Sequence, residues 1–276
     1  MEEDMKDKRF SLAWLLVAIA ALMVIPAGAQ AAKSTITISG STSVAPLATL
    51  LAQKYVKSPA GKGTKFKILQ GGSDVGISDV SRGRVTVGMS SRDPKPSDPG
   101  GIVFNRIAKD AICLVTNPAN GVASFDQALV QNIFSGKIRS WDQVPGAKEK
   151  GTIDLFVRTP ASGTQDAFDK IFMSPEKIFS GASQKASNGL VQQSVQRDKA
   201  GIGYVSLAFT KGTTVGSYKG VPCTLRNAKS GQYGGVRSFY FVTRGAASGP
   251  VKKWIKWTRS NKAALKIAAS EWVPFK

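Results

Sequence analysis

"IDLFVRTPASGTQDAFDKIF", residues 153–172, reads as strand, turn and helix in immediate succession. The same order recurs along the chain. "STITISGSTSVAPLATLLAQKY" (34–55) begins with alternating Ile36 and Ile38, breaks at a polar turn, and resumes with Leu47, Leu50, Leu51 and Tyr55 at helical spacing. Pro46 must then lie in the first turn of that helix, because farther in it would break a backbone hydrogen bond. "FKILQGGSDVGISDVSRG" (66–83) gives a strand, a Gly-Gly-Ser turn and a short helix. "RVTVGMSSRDP" (84–94) alternates, "AKDAICLVTNP" (108–118) is a nearly continuous apolar strand, and 125–144 holds a helix stopped near Gly136. Later strands are expected in 199–209 and 235–245, with a closing helix over 250–269. Strands alternating with helices imply an α/β fold with largely parallel sheets.

Ligands of open α/β sheets bind beyond the carboxyl ends of strands, where helix starts expose unpaired N–H groups. Three strand-to-helix junctions here carry hydroxyls: Ser41-Thr42-Ser43, Gly71-Gly72-Ser73 and Ser162-Gly163-Thr164. Arg158 precedes one, and Arg92 follows a strand ending in Ser90 and Ser91. A hydroxyl at a helix start most often caps the helix, and Ser162 with Gln165 has the S-x-x-Q form of a capping box. Three such turns with arginines point further, to many directed donors around a tetrahedral oxyanion that arginine can grip with two N–H groups.

Composition narrows the chemistry. The chain has 276 residues, with 38 Lys and Arg against 18 Asp and Glu, and no histidine. That removes Ser-His-Asp and Cys-His pairs and the usual zinc ligands, and no metal or cofactor is expected. A serine with a lysine base is the enzymatic alternative. No phosphate loop of the Walker type occurs, since neither Gly-Lys pair has a glycine five residues earlier. The basic excess would attract polyanions. Its densest run, "VKKWIKWTRSNKAALK" (251–266), reads instead as an amphipathic helix with Trp254, Ile255, Leu265 and Ile267 inward, so no nucleic-acid partner is expected. The apolar run 11–26 between basic residues and "AGAQAA" is the pattern of a secretory signal over 1–31, placing the mature chain in the periplasm or cell envelope. Cys113 and Cys223 could be bonded or free.

Across most of the mature chain, "ISGSTSVAPLA", "GGSDVGI", "VGMSSRDP", "IFSGKIRSWDQV", "RTPASGTQDAF" and "AGIGYVSLAF" stand in the order found in the phosphate-binding proteins of ABC importers, the PstS family, which the chain resembles. The resemblance implies a two-lobed periplasmic-binding-protein fold (type II-like). Each lobe would be a mostly parallel sheet flanked by helices, with ligand in the cleft. It implies lobe I over 32–112 and 210–276, lobe II over 113–209, and crossings near 110–118 and 203–211. By motif, Thr42 and Ser43 would give backbone and hydroxyl donors, Ser73 would donate from the second helix, and Arg158, Ser162, Gly163 and Thr164 would complete the shell. Ser91 stands where some members carry an aspartate that accepts the phosphate proton and rejects sulfate. Asp74 and Asp93 are the candidate replacements. The function implied is non-enzymatic: a monomer that captures inorganic phosphate and delivers it to a membrane ABC permease. Another tetrahedral oxyanion (sulfate, molybdate or tungstate) is the alternative ligand.

Overall fold

The computed structural model describes residues 34–275; the expected export signal over 1–31 lies outside the described residues. The first lobe opens with β1 (Ser34–Gly40), α1 (Ala45–Val56), β2 (Thr64–Ile68), α2 (Ser73–Ser81) and β3 (Val87–Ser90). The central β1 pairs in parallel with both β2 and β3. Along α1 the buried stripe is Leu47, Leu51 and Tyr55, with Pro46 in the first turn as its fixed φ requires. Leu50, expected on that stripe, faces solvent.

β4 (Ile102–Thr116) then runs through both lobes. The second lobe is built from β5 (Ser124–Phe125), α3 (Gln127–Phe134), β6 (Asp154–Arg158), α4 (Gly163–Phe168), β7 (Ser183–Lys185), α5 (Asn188–Arg197) and β8 (Gly201–Ser206). Next come β9 (Thr214–Val215), β10 (Ser217–Tyr218), β11 (Val221–Pro222) and α6 (Leu225–Ser230). The chain ends through β12 (Val236–Arg244), α7 (Gly249–Ser260), α8 (Lys262–Glu271) and β13 (Val273–Pro274).

Strand order is β2-β1-β3-β12-β4 in the first lobe and β4-β8-β6-β7 in the second, so β4 belongs to both. This is the expected two-lobed α/β arrangement. Within this sheet parallel pairing occurs only away from β4, β6 with β7 and β8 repeating what β1 does with β2 and β3; the small pair β5–β10 is also parallel. Around the hinge the pairs are antiparallel, because β12 and β8 both return alongside β4.

Each lobe has its own core. Ile36, Leu47, Phe241, Trp254 and Trp272 anchor the first; Phe134, Trp141, Phe168 and Tyr204 anchor the second. The second core also takes in Tyr218, Cys223, Ala228 and Tyr233. Residues 217–233 therefore pack on the second lobe, although the expected boundary put 210–276 in the first. The pairing of β10 with β5, a Cys113–Cys223 disulfide and a 2.7 Å bond from the Tyr233 hydroxyl to the Ile112 carbonyl hold them there. The chain finally re-enters the first lobe with β12, later than the expected crossing at 203–211.

The closing segment is two helices rather than one. Asn261 ends α7 and, accepting the Ala263 N–H at 2.9 Å, caps α8. Trp254 and Ile255 are buried as expected, and Ile267 packs against the same core, while Leu265 is half-buried. Trp257 is buried too, edge-on to Tyr55 at 5.2 Å, so the aromatics of the basic run stabilise the core.

Candidate functional site

The strand ends of both lobes point into the interlobe cleft, and their helix starts meet there. In the β1–α1 turn Ser41 acts as the cap: its Oγ accepts the N–H groups of Ser43 at 3.2 Å and Val44 at 3.3 Å, and donates to Ser91 Oγ at 2.8 Å. The Ser43 N–H, expected to be free for a ligand, is thereby taken. Its hydroxyl is engaged as well: Ser43 Oγ lies 2.9 Å from Thr164 Oγ1, on the other lobe. Asn188, the first residue of α5, donates to Thr42 Oγ1 at 3.0 Å and to Ser43 Oγ at 2.8 Å. Ser73, the first residue of α2, accepts the Ser91 N–H at 3.0 Å, and the two hydroxyls are 3.3 Å apart.

Gly163 enters this cluster from the second lobe. A Cβ there would fall on Ser73 Oγ and come within 2.9 Å of Ser91 Oγ, so only glycine lets α4 approach so closely. Beside it, the Asp74 N–H donates to the Ala161 carbonyl at 3.1 Å, a backbone bond between lobes. Ser162 is the α4 cap, accepting from Thr164 at 3.1 Å and Gln165 at 3.3 Å. The reciprocal arm of the box is absent. Gln165 instead accepts the Arg158 N–H at 3.2 Å and the Tyr204 hydroxyl. Thr42, Ser43, Ser73, Ser91, Arg158, Ser162, Gly163 and Thr164 are all buried and share one neighbourhood.

The two arginines singled out in the sequence part company. Arg158, 2% exposed at the end of β6, spends Nε on the Lys185 carbonyl at 3.1 Å and Nη2 on the Ala186 carbonyl at 2.9 Å. Its Nη1 reaches Thr164 Oγ1 at 3.4 Å. No carboxylate neutralises it among the described residues. Burial, with Arg237 adding repulsion, brings its pKa down to about 10. Arg92, by contrast, is saturated: Nη2 bonds Asp98 at 2.5 Å, Nε bonds Asp74 at 2.8 Å, and Nη1 bonds the Asp93 carbonyl at 2.9 Å. Burial opposes the charge, but these acids more than offset it and hold the guanidinium above its ordinary range. Arg92 is thus an internal clamp and not a donor to the cluster.

The second arginine of the site is Arg237, on β12. It donates from Nη2 to Ser43 Oγ at 2.9 Å and to Asp110 Oδ2 at 2.9 Å. Asp110 is fully buried and also accepts the Ser206 hydroxyl at 2.9 Å. Burial pushes the Asp110 pKa up and that of Arg237 down, and their mutual attraction only partly counters this. Sequence reasoning missed Asp110, Arg237 and Asn188. One signal was available for the first: a carboxylate inside the apolar run "AKDAICLVTNP" must find a buried partner.

Neither candidate proton acceptor bonds into the cluster, although Asp93 lines the cleft beside it. Asp74 pairs with Arg92, and Asp93 accepts the Tyr240 hydroxyl at 2.8 Å and pairs with Lys170 at 3.6 Å. A cleft of about 320 Å³ opens between the lobes beside the cluster, walled by Pro94 and Lys95 on one side and Ala167 and Lys170 on the other, with Arg237 also lining it. Lys95–Asp166 and Lys170–Asp93 span the two walls. The clustered serines bond to one another, to Asn188 and to Arg237, with no lysine among their partners. The sequence's single Ser-x-x-Lys spacing, Ser174 to Lys177, is exposed at both residues. No group of three or more candidate metal-binding side chains occurs among the described residues.

Comparison with known proteins agrees with this geometry. Residues 26–262 match the family described as the PBP superfamily domain, and the chain belongs to that superfamily. The phosphate-binding protein PstS of Bacillus subtilis is 26% identical over 249 residues, covering 88% of this chain and 81% of the relative. Among solved structures, a putative phosphate ABC transporter substrate-binding protein from Clostridium perfringens, crystallised with phosphate, superposes with a TM-score of 0.82 at 27% identity. It covers 88% of this chain and 100% of its own. An ABC-type phosphate transport receptor from Vibrio cholerae gives 0.70 at 26% identity, covering 86% of this chain and 99% of its own.

Proposed function

We propose that this member of the PBP superfamily captures inorganic phosphate in the interlobe cluster and delivers it to a membrane ABC permease. One observation carries the reading: Arg158 is a buried guanidinium held only by neutral groups, at a point where hydroxyls from both lobes converge. Leaving a cation buried without a counter-charge is unfavourable, and a bound oxyanion removes that penalty. Hydroxyl and amide dipoles from Thr42, Ser43, Ser73, Ser162, Gly163 and Thr164 supply directed donors without adding charge, which suits a small, strongly hydrated anion.

Donors come from both lobes, so ligand contacts favour the closed arrangement, and closure is the signal a permease can read. The protein works as an exported monomer in the envelope, a binding module and not an enzyme. Ser91 offers a hydroxyl where a carboxylate would repel sulfate, so sulfate is the competing ligand to measure first. The deciding experiment is isothermal titration of the purified mature protein with phosphate and then sulfate. Phosphate binding below millimolar concentration is the expected result. Silence toward phosphate at millimolar concentration ends this reading, and heat with sulfate alone transfers it to sulfate.

A further inference from the structure

One buried ion pair of the site has been given no role toward the ligand. Asp110 and Arg237 face each other across β4 and β12, at the hinge, with Arg237 Nε 3.2 Å and Nη2 2.9 Å from Asp110 Oδ2. The other carboxylate oxygen takes the Ser206 hydroxyl. A pair that only fastened strands together would be complete at that point. Arg237 goes further. Its Nη2 also donates to Ser43 Oγ at 2.9 Å, and its Nη1 reaches Ser91 Oγ only at 3.5 Å, the outer limit of a hydrogen bond. Ser43 Oγ is 2.9 Å from Thr164 Oγ1, which Arg158 approaches to 3.4 Å. Two guanidiniums, one from the hinge and one from the second lobe, thus flank a single pair of hydroxyls.

We propose that Arg237 is a second ligand-binding arginine of this site, with its loosely engaged Nη1 corner directed at a tetrahedral oxyanion, and that Asp110 is its positioning residue. The proposal rests on the phosphate reading above. Its physical content is a division of labour. Arg158 contributes net positive charge, whereas Arg237 and Asp110 together contribute none. The pair therefore supplies a rigid, planar fork of donors whose cost in desolvation is partly met within the pair. Because the fork stands beside Ser91, this corner of the site donates to ligand oxygens, and its one carboxylate, Asp110, is already engaged by the fork itself.

Two single variants separate this from a purely structural clamp. Arg237→Lys keeps the charge beside Asp110 but loses the planar fork, and phosphate should bind about tenfold more weakly or worse. Asp110→Asn keeps an acceptor oxygen for the fork and removes a negative charge next to the anion. It should lower the melting temperature yet tighten phosphate binding by about threefold. Opposite signs in affinity from the two halves of one ion pair are the diagnostic. A clamp with no ligand contact predicts lower melting temperatures in both and unchanged affinity in both, and that result overturns the proposal. Where either single variant fails to fold, Asp110→Asn with Arg237→Gln removes both charges together, a change buried pairs tolerate. Unaltered phosphate affinity in that folded double variant also overturns it. Wild-type protein that ignores phosphate defeats the function itself, and wild-type binding with equal binding by Arg237→Lys defeats only the role of Arg237.

Discussion

Arg92 follows β3 in the first lobe and Arg158 ends β6 in the second, and both are almost entirely buried. Around Arg92 stand Asp74, Asp98 and the Asp93 carbonyl; around Arg158 stand two carbonyls and a threonine hydroxyl. The first is an internal salt bridge that fastens the loop after β3. The second leaves a positive charge for something outside the chain to neutralise. Burial alone does not mark an arginine that brings net charge to a ligand; what marks it is the lack of an acid opposite.

The sharpest way to break this contrast is to remove each guanidinium in turn. Arg158→Ala should weaken phosphate by about a hundredfold with little change in melting temperature, read by titration calorimetry and thermal unfolding. Gly163→Ala tests the closure that brings the cluster together. Its methyl collides with Ser73 Oγ, so phosphate should bind about tenfold more weakly while each lobe keeps its core. Arg92→Ala should do the opposite of Arg158→Ala. Affinity should stay within about twofold, but stability should drop by about 3 kcal/mol, because Asp98 loses its buried partner. If Arg92→Ala matched Arg158→Ala in binding, the contrast drawn here would fail.

Alkali gives a gentler handle. Since burial lowers the Arg158 pKa to about 10 and the anion binds the charged form, affinity should hold at neutral pH and decline as pH rises through about 10. Smallest of all, Lys95→Ala removes an ion pair between the lobes that is 39% and 26% exposed. Screening leaves such a pair worth under about 1 kcal/mol, so affinity should shift by no more than about threefold, and less in high salt.

Much of this was legible in the sequence. The strand–turn–helix succession located β1, β2, β6 and their helices, and the hydroxyl turns at 41–43, 73 and 162–164 do converge. Turns are written in adjacent residues, so local chemistry exposes them. The Asp110–Arg237 pair spans 127 positions and sits in two strands that are otherwise mostly apolar. Only the register of β12 against β4 brings it together, and no local pattern encodes that register. The break at Asn261 was hidden for a different reason. Apolar spacing continues on both sides of it, so the periodicity reads as one helix although the backbone turns there. The state of Cys113 and Cys223 was likewise undecidable until the fold placed their Cα atoms 5.7 Å apart.

β4 belongs to the sheets of both lobes without interruption. Loops joining two bodies can swing through wide arcs, but a continuous hydrogen-bonded ribbon yields chiefly by twisting about its length. An opening of the lobes would therefore twist this ribbon, and Asp110 on β4 with Arg237 on the paired β12 would turn with it. A membrane partner that pried the lobes apart would wind that ribbon and tug one arginine away from the cargo in the same stroke.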